Sequence, residues 1–117
     1  MRYLVHEKNG IKVAELCDPS VVVKNAQEFI ELFVHLQIEK VALYKRNLID
    51  GFLDLRTGIA GEFLQNLDKC RMYLGIIGDF YKIRSKSLIE FIQDCNIGNT
   101  VIFKSNIEEV VEIFTAV

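Results

Sequence analysis

The sequence predicts one α/β domain in which a mixed, mostly parallel sheet of five strands is covered by about four helices. The chain has 117 residues, of which 50% are hydrophobic and 26% are charged, as expected for a domain with its own core. Asn9-Gly10 separates two short β-rich runs, which marks an N-terminal hairpin. Beyond the hairpin, apolar runs alternate with segments of helical periodicity. We therefore predict one domain over residues 1–117.

The hairpin strands are predicted at Tyr3 to Glu7 and at Ile11 to Cys17. Asn-Gly is the residue pair that most readily adopts the positive φ angles of a two-residue turn. The first helix is predicted over residues 26–38, where apolar residues recur at i, i+3 and i+4. Asn25, followed three residues later by Glu28, has the pattern of a capping box.

Three further strands are predicted at Lys40 to Lys45, Tyr73 to Gly78 and Thr100 to Lys104. Their apolar stretches do not alternate with polar residues, which is typical of strands covered on both faces. A helix follows each of them, so the crossovers predict parallel pairing, with only the first hairpin strand antiparallel. The last helix is predicted to begin at Ser105 or Asn106, each of which has a glutamate three residues later.

The second helix is predicted to end near Lys69, with Asp54 or Thr57 as its cap. The third is predicted over residues 85–96, and Gly98 is expected to end it. Both segments place apolar residues on one face, which would cover the sheet.

Charge and composition exclude several classes of protein. The formal net charge is −2, so the basic surface that nucleic-acid binding requires is not expected. The first residues carry charges and have no apolar core of a signal peptide, and no apolar run reaches membrane-spanning length. We expect no membrane association and a cytoplasmic location.

No cofactor or metal is predicted, because the chain has no glycine-rich nucleotide motif and no His or Cys spacing typical of zinc. Cys17, Cys70 and Cys95 form no close pair, and we expect reduced thiols that are buried as small apolar groups. His6 and His35 are expected at the solvated surface.

Candidate binding residues follow the third and fourth strands, because ligands of open α/β sheets bind outside the carboxyl ends of the strands. The loop after the third strand supplies Lys45, Arg46, Asp50, Asp54, Arg56, Thr57 and Gly58. The loop after the fourth strand supplies Asp79, Tyr81, Lys82, Arg84, Ser85, Lys86 and Ser87. These residues predict a site for a small anion or phosphate, with Gly58 allowing close backbone approach and Arg56, Arg84 or Lys86 contacting the anion. Alternatively, they only cap helices and keep the loops solvated.

Catalysis is not predicted. Asp54 and Asp79 could form a carboxylate pair at adjacent strand ends, but no histidine or nucleophile accompanies them in a recognised arrangement. Four apolar side chains lie in or beside the same loops: Phe52, Leu53, Phe80 and Tyr81. They are interpreted as a contact surface for a protein, or alternatively Phe52 and Phe80 close the end of the core.

Four sequence blocks resemble the bacterial family catalogued as domain of unknown function 4180. They are Asp-Leu-Arg-Thr-Gly-Ile-Ala-Gly-Glu at 54–62, Gly-Asp-Phe at 78–80, Ser-Lys-Ser-Leu at 85–88 and Asn-Ile-Gly at 96–98. The resemblance spans nearly the whole chain, and it implies mainly a fold, because that family has no settled activity.

The order of elements in this family is similar to the STAS fold of anti-sigma-factor antagonists. In those antagonists a phosphorylatable serine lies at the start of the second helix. Thr57-Gly58 occupies the corresponding place here, with Asp54 and Gly61 at a wider spacing than in the antagonist motif. The resemblance thus implies Thr57 as a candidate phosphorylation site.

Two functions are predicted. The first is a STAS-like, non-enzymatic regulatory module that binds a protein partner through residues 54–61 and 79–87. The alternative is a small-anion-binding protein, with or without weak hydrolase or transferase activity, at the same edge. An exposed aromatic surface would favour the first, and a concave pocket with converging polar groups would favour the second. A homodimer is a further expectation, because the edges of a small sheet need covering.

Overall fold

The computed structural model describes every residue, Met1–Val117, and has the predicted α/β architecture. The strands are β1 (Tyr3–Lys8), β2 (Ile11–Leu16), β3 (Lys40–Tyr44), β4 (Tyr73–Ile77) and β5 (Val101–Lys104). The α-helices are α1 (Ala26–Phe33), α2 (Ile59–Cys70), α3 (Lys86–Gly98) and α4 (Ile107–Phe114). The mixed five-stranded sheet, its N-terminal hairpin and the four helices confirm the predicted fold class.

The strands lie in the sheet in chain order, β1-β2-β3-β4-β5. β1 pairs with β2 antiparallel, and every later pair is parallel. Because each crossover advances in the same direction, right-handed connections place α1, α2 and α3 on one face of the sheet. The last helix, α4, covers the opposite face.

The two faces have separate cores. The larger one lies under α1, α2 and α3, where the rings of Phe29, Phe33, Phe52 and Phe63 contact one another at centroid distances of 5.0–6.0 Å. The smaller one lies under α4 and contains Val13, Ala42, Ile77, Ile102, Val110 and Phe114. Burial on both faces explains why β3, β4 and β5 read as continuous apolar runs.

Close packing of α4 depends on Gly75 in the middle of β4. A Cβ atom at this position would lie 2.5 Å from Cγ1 of Val110. The absence of a side chain therefore allows the helix to approach the sheet at this point.

Local signals in the sequence predicted the hairpin turn and the helix caps at Asn25 and Asn106. Asn9 and Gly10 have φ angles of 56° and 76°, as a tight hairpin turn requires. Asn25, Ser85 and Asn106 each accept a hydrogen bond from the backbone N–H three residues later.

Several predicted helix boundaries were wrong. α1 ends at Phe33, and the chain continues as a 3-10 turn, Val34–Leu36, before Gln37 adopts a left-handed conformation with φ 59°. α3 includes Gly98 as its last residue, and Asn99, with φ 62°, reverses the chain instead. Asparagine tolerates this conformation, so glycine was not required there.

The second helix begins later than predicted. Residues Leu55–Thr57 form a separate 3-10 turn, which Asp54 caps by accepting from the N–H of Arg56 at 3.1 Å. Gly58, with φ 74°, then redirects the chain into α2 at Ile59. The positive φ angle favours glycine at this position.

The cysteines differ in exposure. All three are free, and only Cys95 is buried, where desolvation raises its pKa to about 11. Cys17 is half-buried, and Cys70 is exposed at the end of α2. The prediction that all three are buried was therefore right only for Cys95. Cys70 is exposed because Leu67 and Met72 take the inward positions at this end of the helix. No helix of the chain has the length and apolar character needed to cross a membrane.

Candidate functional site

An open, shallow groove lies at the carboxyl edge of the sheet, where β3 and β4 end. Its volume is about 610 Å³, and its lining residues are Tyr44, Lys45, Arg46, Leu48, Asp50, Ile77, Gly78 and Asp79. Four of these side chains carry a charge, two of each sign. The groove is thus a polar depression at the sheet edge where ligands bind in open α/β folds.

A smaller apolar chamber adjoins the groove. It measures about 220 Å³ and is lined by Lys45, Leu48, Ile49, Asp50, Phe52, Leu53 and Ile76. Lys45, Leu48 and Asp50 line both depressions, so the chamber opens beside the charged groups of the groove. Together they form a site with an apolar end and a charged end, which we call the edge site.

The turn that carries Lys45 and Arg46 is held by the buried side chain of Asn47. Its Nδ2 donates to the carbonyl oxygens of Asp18, at 3.0 Å, and Val21, at 2.9 Å. Its Oδ1 accepts from the N–H of Tyr44 at 3.0 Å. Both N–H groups and the oxygen of this amide therefore bond to the backbone. These bonds hold the turn after β3 against the segment before α1.

The cations of the edge site are not neutralised by the protein. Lys45 and Arg46 are exposed, and neither has a carboxylate within 4.0 Å. The Arg46 guanidinium lies over the Tyr44 ring, 4.5 Å from its centroid, which limits the positions it can occupy. Asp79 lies 4.0 Å from Lys82, at the limit of an ion pair. Positive charge is therefore available to a ligand at this edge.

Beneath Tyr44 lies a hydrogen-bonded cluster of three ionisable side chains, which we call the Glu15 cluster. The Tyr44 hydroxyl donates to Oε2 of Glu15 at 2.6 Å, and Nε2 of His6 lies 2.8 Å from Oε1. Glu15 is only 7% exposed. The hydrogen bond to Glu15 raises the pKa of Tyr44 to about 12, and burial adds to the effect.

The sequence analysis missed this cluster and placed His6 wrongly at the solvated surface. His6 is half-buried because it lies on the same face of the hairpin as Glu15, two positions along the paired strand. One signal was visible: Glu15 is the carboxylate between Ala14 and Leu16 in a strand otherwise rich in apolar residues. A buried charge in such a strand requires partners.

Four of the predicted site residues lie in the 3-10 turn before α2 and mostly bond to one another. The Arg56 guanidinium donates to both carboxylate oxygens of Asp54, at 3.0 and 2.9 Å, which lowers the pKa of Asp54 and raises that of Arg56. The Thr57 hydroxyl lies 2.8 Å from the carbonyl oxygen of Asp54 and accepts from the N–H of Ile59 at 3.2 Å. Gly58 is exposed at the turn.

The remaining predicted residues lie in the loop after β4 and at the start of α3. Asp79 lines the groove, whereas Ser85 accepts from the N–H of Leu88 at 3.4 Å and thus caps α3. Arg84 and Lys86 are exposed and form no ion pair. No hydrogen bond or ion pair joins this loop to the Thr57 turn.

The aromatic residues near these loops mostly point inward. Phe52 is buried against Phe63, and Phe80 packs edge-on against Phe103 at 5.2 Å. Tyr81 alone among them is strongly exposed, at 81%. Of the two interpretations drawn from the sequence, closure of the core end describes Phe52 and Phe80.

No three His, Cys, Asp or Glu side chains lie close enough together to hold a metal ion.

A protein-family model described as "Domain of unknown function (DUF4180)" matches residues 8–113. No curated protein and no solved structure gives a significant match.

Proposed function

The chain belongs to the DUF4180 family, whose description assigns no function, and we propose that it binds a small molecule with a carboxylate or phosphate group at the edge site. This is the second of the two functions predicted from the sequence. It is supported by the apolar chamber of about 220 Å³ and by the charged groups of the groove beside it.

The observation that carries the proposal is the position of two cations without a carboxylate partner in a groove that adjoins an apolar chamber. Lys45 lines both the chamber and the groove, and Arg46 is held beside it over Tyr44. An anionic group in the groove would accept hydrogen bonds from both cations in place of water. Such charge-assisted hydrogen bonds are strong when the donor is already held in place. An apolar portion of the same ligand would enter the chamber.

The carboxylates narrow the range of ligands. Asp50 and Asp79 line the same groove as the cations, so they favour an anionic ligand that also carries a hydrogen-bond donor. A ligand that also carries a hydroxyl or amino group would satisfy them. The groove lining contains no His, Cys or Ser side chain, and we propose binding without turnover.

A protein partner remains a second candidate because of one residue. Tyr81 is 81% exposed in the loop after β4, and the Lys82 ammonium lies 5.8 Å from its ring centroid. Phe80 anchors this loop against Phe103, so the exposed ring is presented on a fixed segment. Exposed aromatic side chains of this kind are common at protein contacts.

Binding can be tested by titrating three small probes into the labelled protein and following backbone amide NMR shifts. Hexanoate combines a carboxylate with an apolar chain, hexanol lacks the charge, and inorganic phosphate lacks the chain. We expect hexanoate to shift amides of residues 45–53 more than either of the others. Lys45→Gln and Arg46→Gln should each weaken hexanoate binding at least several-fold.

The matched control is Lys69→Gln, which removes an exposed cation from the last turn of α2, outside the edge site. Its hexanoate affinity should equal that of the unchanged protein. Equal affinities for all three variants, or shifts confined to residues outside 45–53, would contradict the proposal.

A further inference from the structure

The outer edge of β1 is the open edge of the sheet. At the opposite edge, the outward-facing N–H of Phe103 on β5 donates to Oδ1 of Asn96 at 2.7 Å, so α3 closes that side. β1 has no such cover, and its side chains are exposed along most of its length. An exposed edge strand can pair with another strand through its free backbone groups.

The hairpin register decides which backbone groups are free. Lys8 and Ile11 flank a two-residue turn, and the N–H of Cys17 donates to the carbonyl oxygen of Arg2. Even-numbered residues of β1 therefore bond to β2, because bonding alternates along an antiparallel pair. The N–H and C=O groups of Tyr3, Val5 and Glu7 point away from the sheet.

The free edge coincides with an apolar stretch. Tyr3, Leu4 and Val5 are consecutive and are 39%, 57% and 48% exposed. Charged residues flank this stretch on both sides, at Arg2 and Glu7. Edge strands are commonly protected by an inward charge or a proline, and neither occurs within the stretch.

We propose that β1 pairs antiparallel with β1 of a second copy of this chain, with Leu4 on the two-fold axis, which joins the two sheets into one. In this register Tyr3 of each copy lies opposite Val5 of the other, and both use their free backbone groups. The two Leu4 side chains meet at the centre. All three exposed apolar residues are thus covered by their own counterparts.

Charge favours this register over the registers with the two-fold axis at another residue of β1. Free groups belong to odd-numbered residues, so the axis must pass through a residue, and Tyr3, Leu4, Val5 and His6 are the positions at which the apolar stretch takes part. An axis at Tyr3 places Leu4 opposite the charged Arg2, and an axis at His6 places Leu4 opposite Lys8. An axis at Val5 places Arg2 opposite Lys8, which is a pair of like charges. An axis at Leu4 instead places Arg2 opposite His6, whose ring is bonded to the Glu15 carboxylate.

The experiment measures the mass of the full chain by sedimentation over a range of concentrations. We expect a reversible dimer, and Leu4→Lys, which places two ammonium groups at the axis, should raise its dissociation constant at least tenfold. The matched control is Ile97→Lys, which changes a residue 81% exposed on α3 and should leave the dimer intact. A monomer at every concentration, or equal dissociation constants for both variants, would overturn the proposal.

A second measurement tests the register and does not depend on how well Leu4→Lys folds. In a Cys70→Ser background, Leu4→Cys should form an intermolecular disulfide on mild oxidation, because residues at a non-hydrogen-bonded antiparallel position lie about 4.5 Å apart. His6→Cys should not crosslink to itself, because Arg2 faces it. Equal crosslinking at both positions would rule out the proposed register.

Discussion

The hydroxyl of Tyr44 donates a 2.6 Å hydrogen bond to the carboxylate of Glu15 and so ties β3 to β2 on the face covered by α4. Glu15 is also bonded to His6 of β1, so three neighbouring strands meet in one polar cluster. Tyr44 lines the groove, and the Arg46 guanidinium lies over its ring. The cluster therefore supports the edge site from below.

We expect the stability that Tyr44 contributes to be lost at alkaline pH. Its pKa is about 12 in the folded protein and near 10 in an unfolded chain, where the Glu15 bond is absent. A raised folded pKa contributes stability below pH 10, and this contribution is lost as the pH rises from 10 to 12. Urea unfolding at several pH values measures it.

The variant Tyr44→Phe isolates this contribution, because other lysines and tyrosines titrate in the same range. The difference in unfolding free energy between the protein and Tyr44→Phe should be constant up to pH 9 and should shrink toward pH 12. A difference that does not change with pH would show that the Glu15 bond does not hold the phenol proton.

Asn47 should be the polar residue on which stability depends most. Replacing it by Leu removes three hydrogen bonds, so the N–H of Tyr44 loses its acceptor and the carbonyl oxygen of Val21 loses its donor. We expect a loss of about 2–4 kcal/mol in unfolding free energy, since buried unpaired groups are costly. The comparison is Asn66→Leu, whose Nδ2 donates only to the Glu62 carbonyl on exposed α2 and should cost below about 1 kcal/mol.

Local patterns predicted those parts of the fold that depend on neighbours in sequence. Asn9-Gly10 specifies its own turn, and Asn25 and Asn106 each bond to a residue three positions away. The parallel sheet followed from the alternation of strands and helices, because crossovers leave few topologies. These inferences need no knowledge of distant contacts.

The Glu15 cluster and the Asn47 bonds could not be predicted in this way. Glu15 bonds a residue 9 positions away and another 29 positions away, and Asn47 bonds residues 26 and 29 positions away. Such partners are brought together only by the strand register. A sequence window shows a charged or amide residue but not what it faces.

The sequence predicted a candidate site at the carboxyl edge of the sheet, where the edge site lies, but it did not show which cations are free. Arg56 was expected to contact an anion, yet it lies two residues from Asp54 in a tight turn and bonds to it. Lys45 and Arg46 follow β3 directly and meet no carboxylate. The difference depends on loop geometry, which residue type alone does not determine.

Two glycines allow a test of the packing under α4. Gly75→Ala places a methyl group 2.5 Å from Val110, whose branched side chain cannot turn away freely. We expect destabilisation of about 1–3 kcal/mol, as for other overpacked cores. Adding Val110→Ala to Gly75→Ala should restore part of the lost stability.

The control is Gly61→Ala in α2, where no atom lies within 4 Å of the added methyl group. This change should stabilise the protein by about 0.5–1 kcal/mol, because alanine favours the helix. Thermal unfolding compares the variants. If both substitutions shift the midpoint in the same direction, α4 does not approach β4 as closely as described.

The three thiols should react in a fixed order. Cys70 is exposed, Cys17 is half-buried, and Cys95 is buried with its pKa raised to about 11, so it holds little thiolate at neutral pH. With an aromatic disulfide reagent at pH 8, we expect one fast reaction, one slower reaction and a third only in denaturant. Cys70→Ser should remove the fast phase, and its persistence would assign that phase to another cysteine.

Thr57 should stabilise the segment that forms the wall of the apolar chamber. Its hydroxyl lies 3.0 Å from the carbonyl oxygen of Gly51 and 2.8 Å from that of Asp54, and it accepts from Ile59. Thr57→Val keeps the shape but removes these bonds. We expect a loss of about 1 kcal/mol in unfolding free energy, the size of an ordinary cap.

The same change should also loosen residues 50–53, because the bond to Gly51 fastens their 3-10 turn to the start of α2. Hydrogen exchange should be faster at the Asp54 amide, which donates to Gly51, and unchanged at Met72, which donates to Leu67. Thr57→Ser keeps the hydroxyl and should exchange like the unchanged protein. A phosphate on Thr57 would break the same bonds and place about two negative charges beside Asp54, so its effect on exchange should exceed that of Thr57→Val. Equal exchange at Asp54 in all forms would show that the Thr57 hydroxyl does not hold this wall.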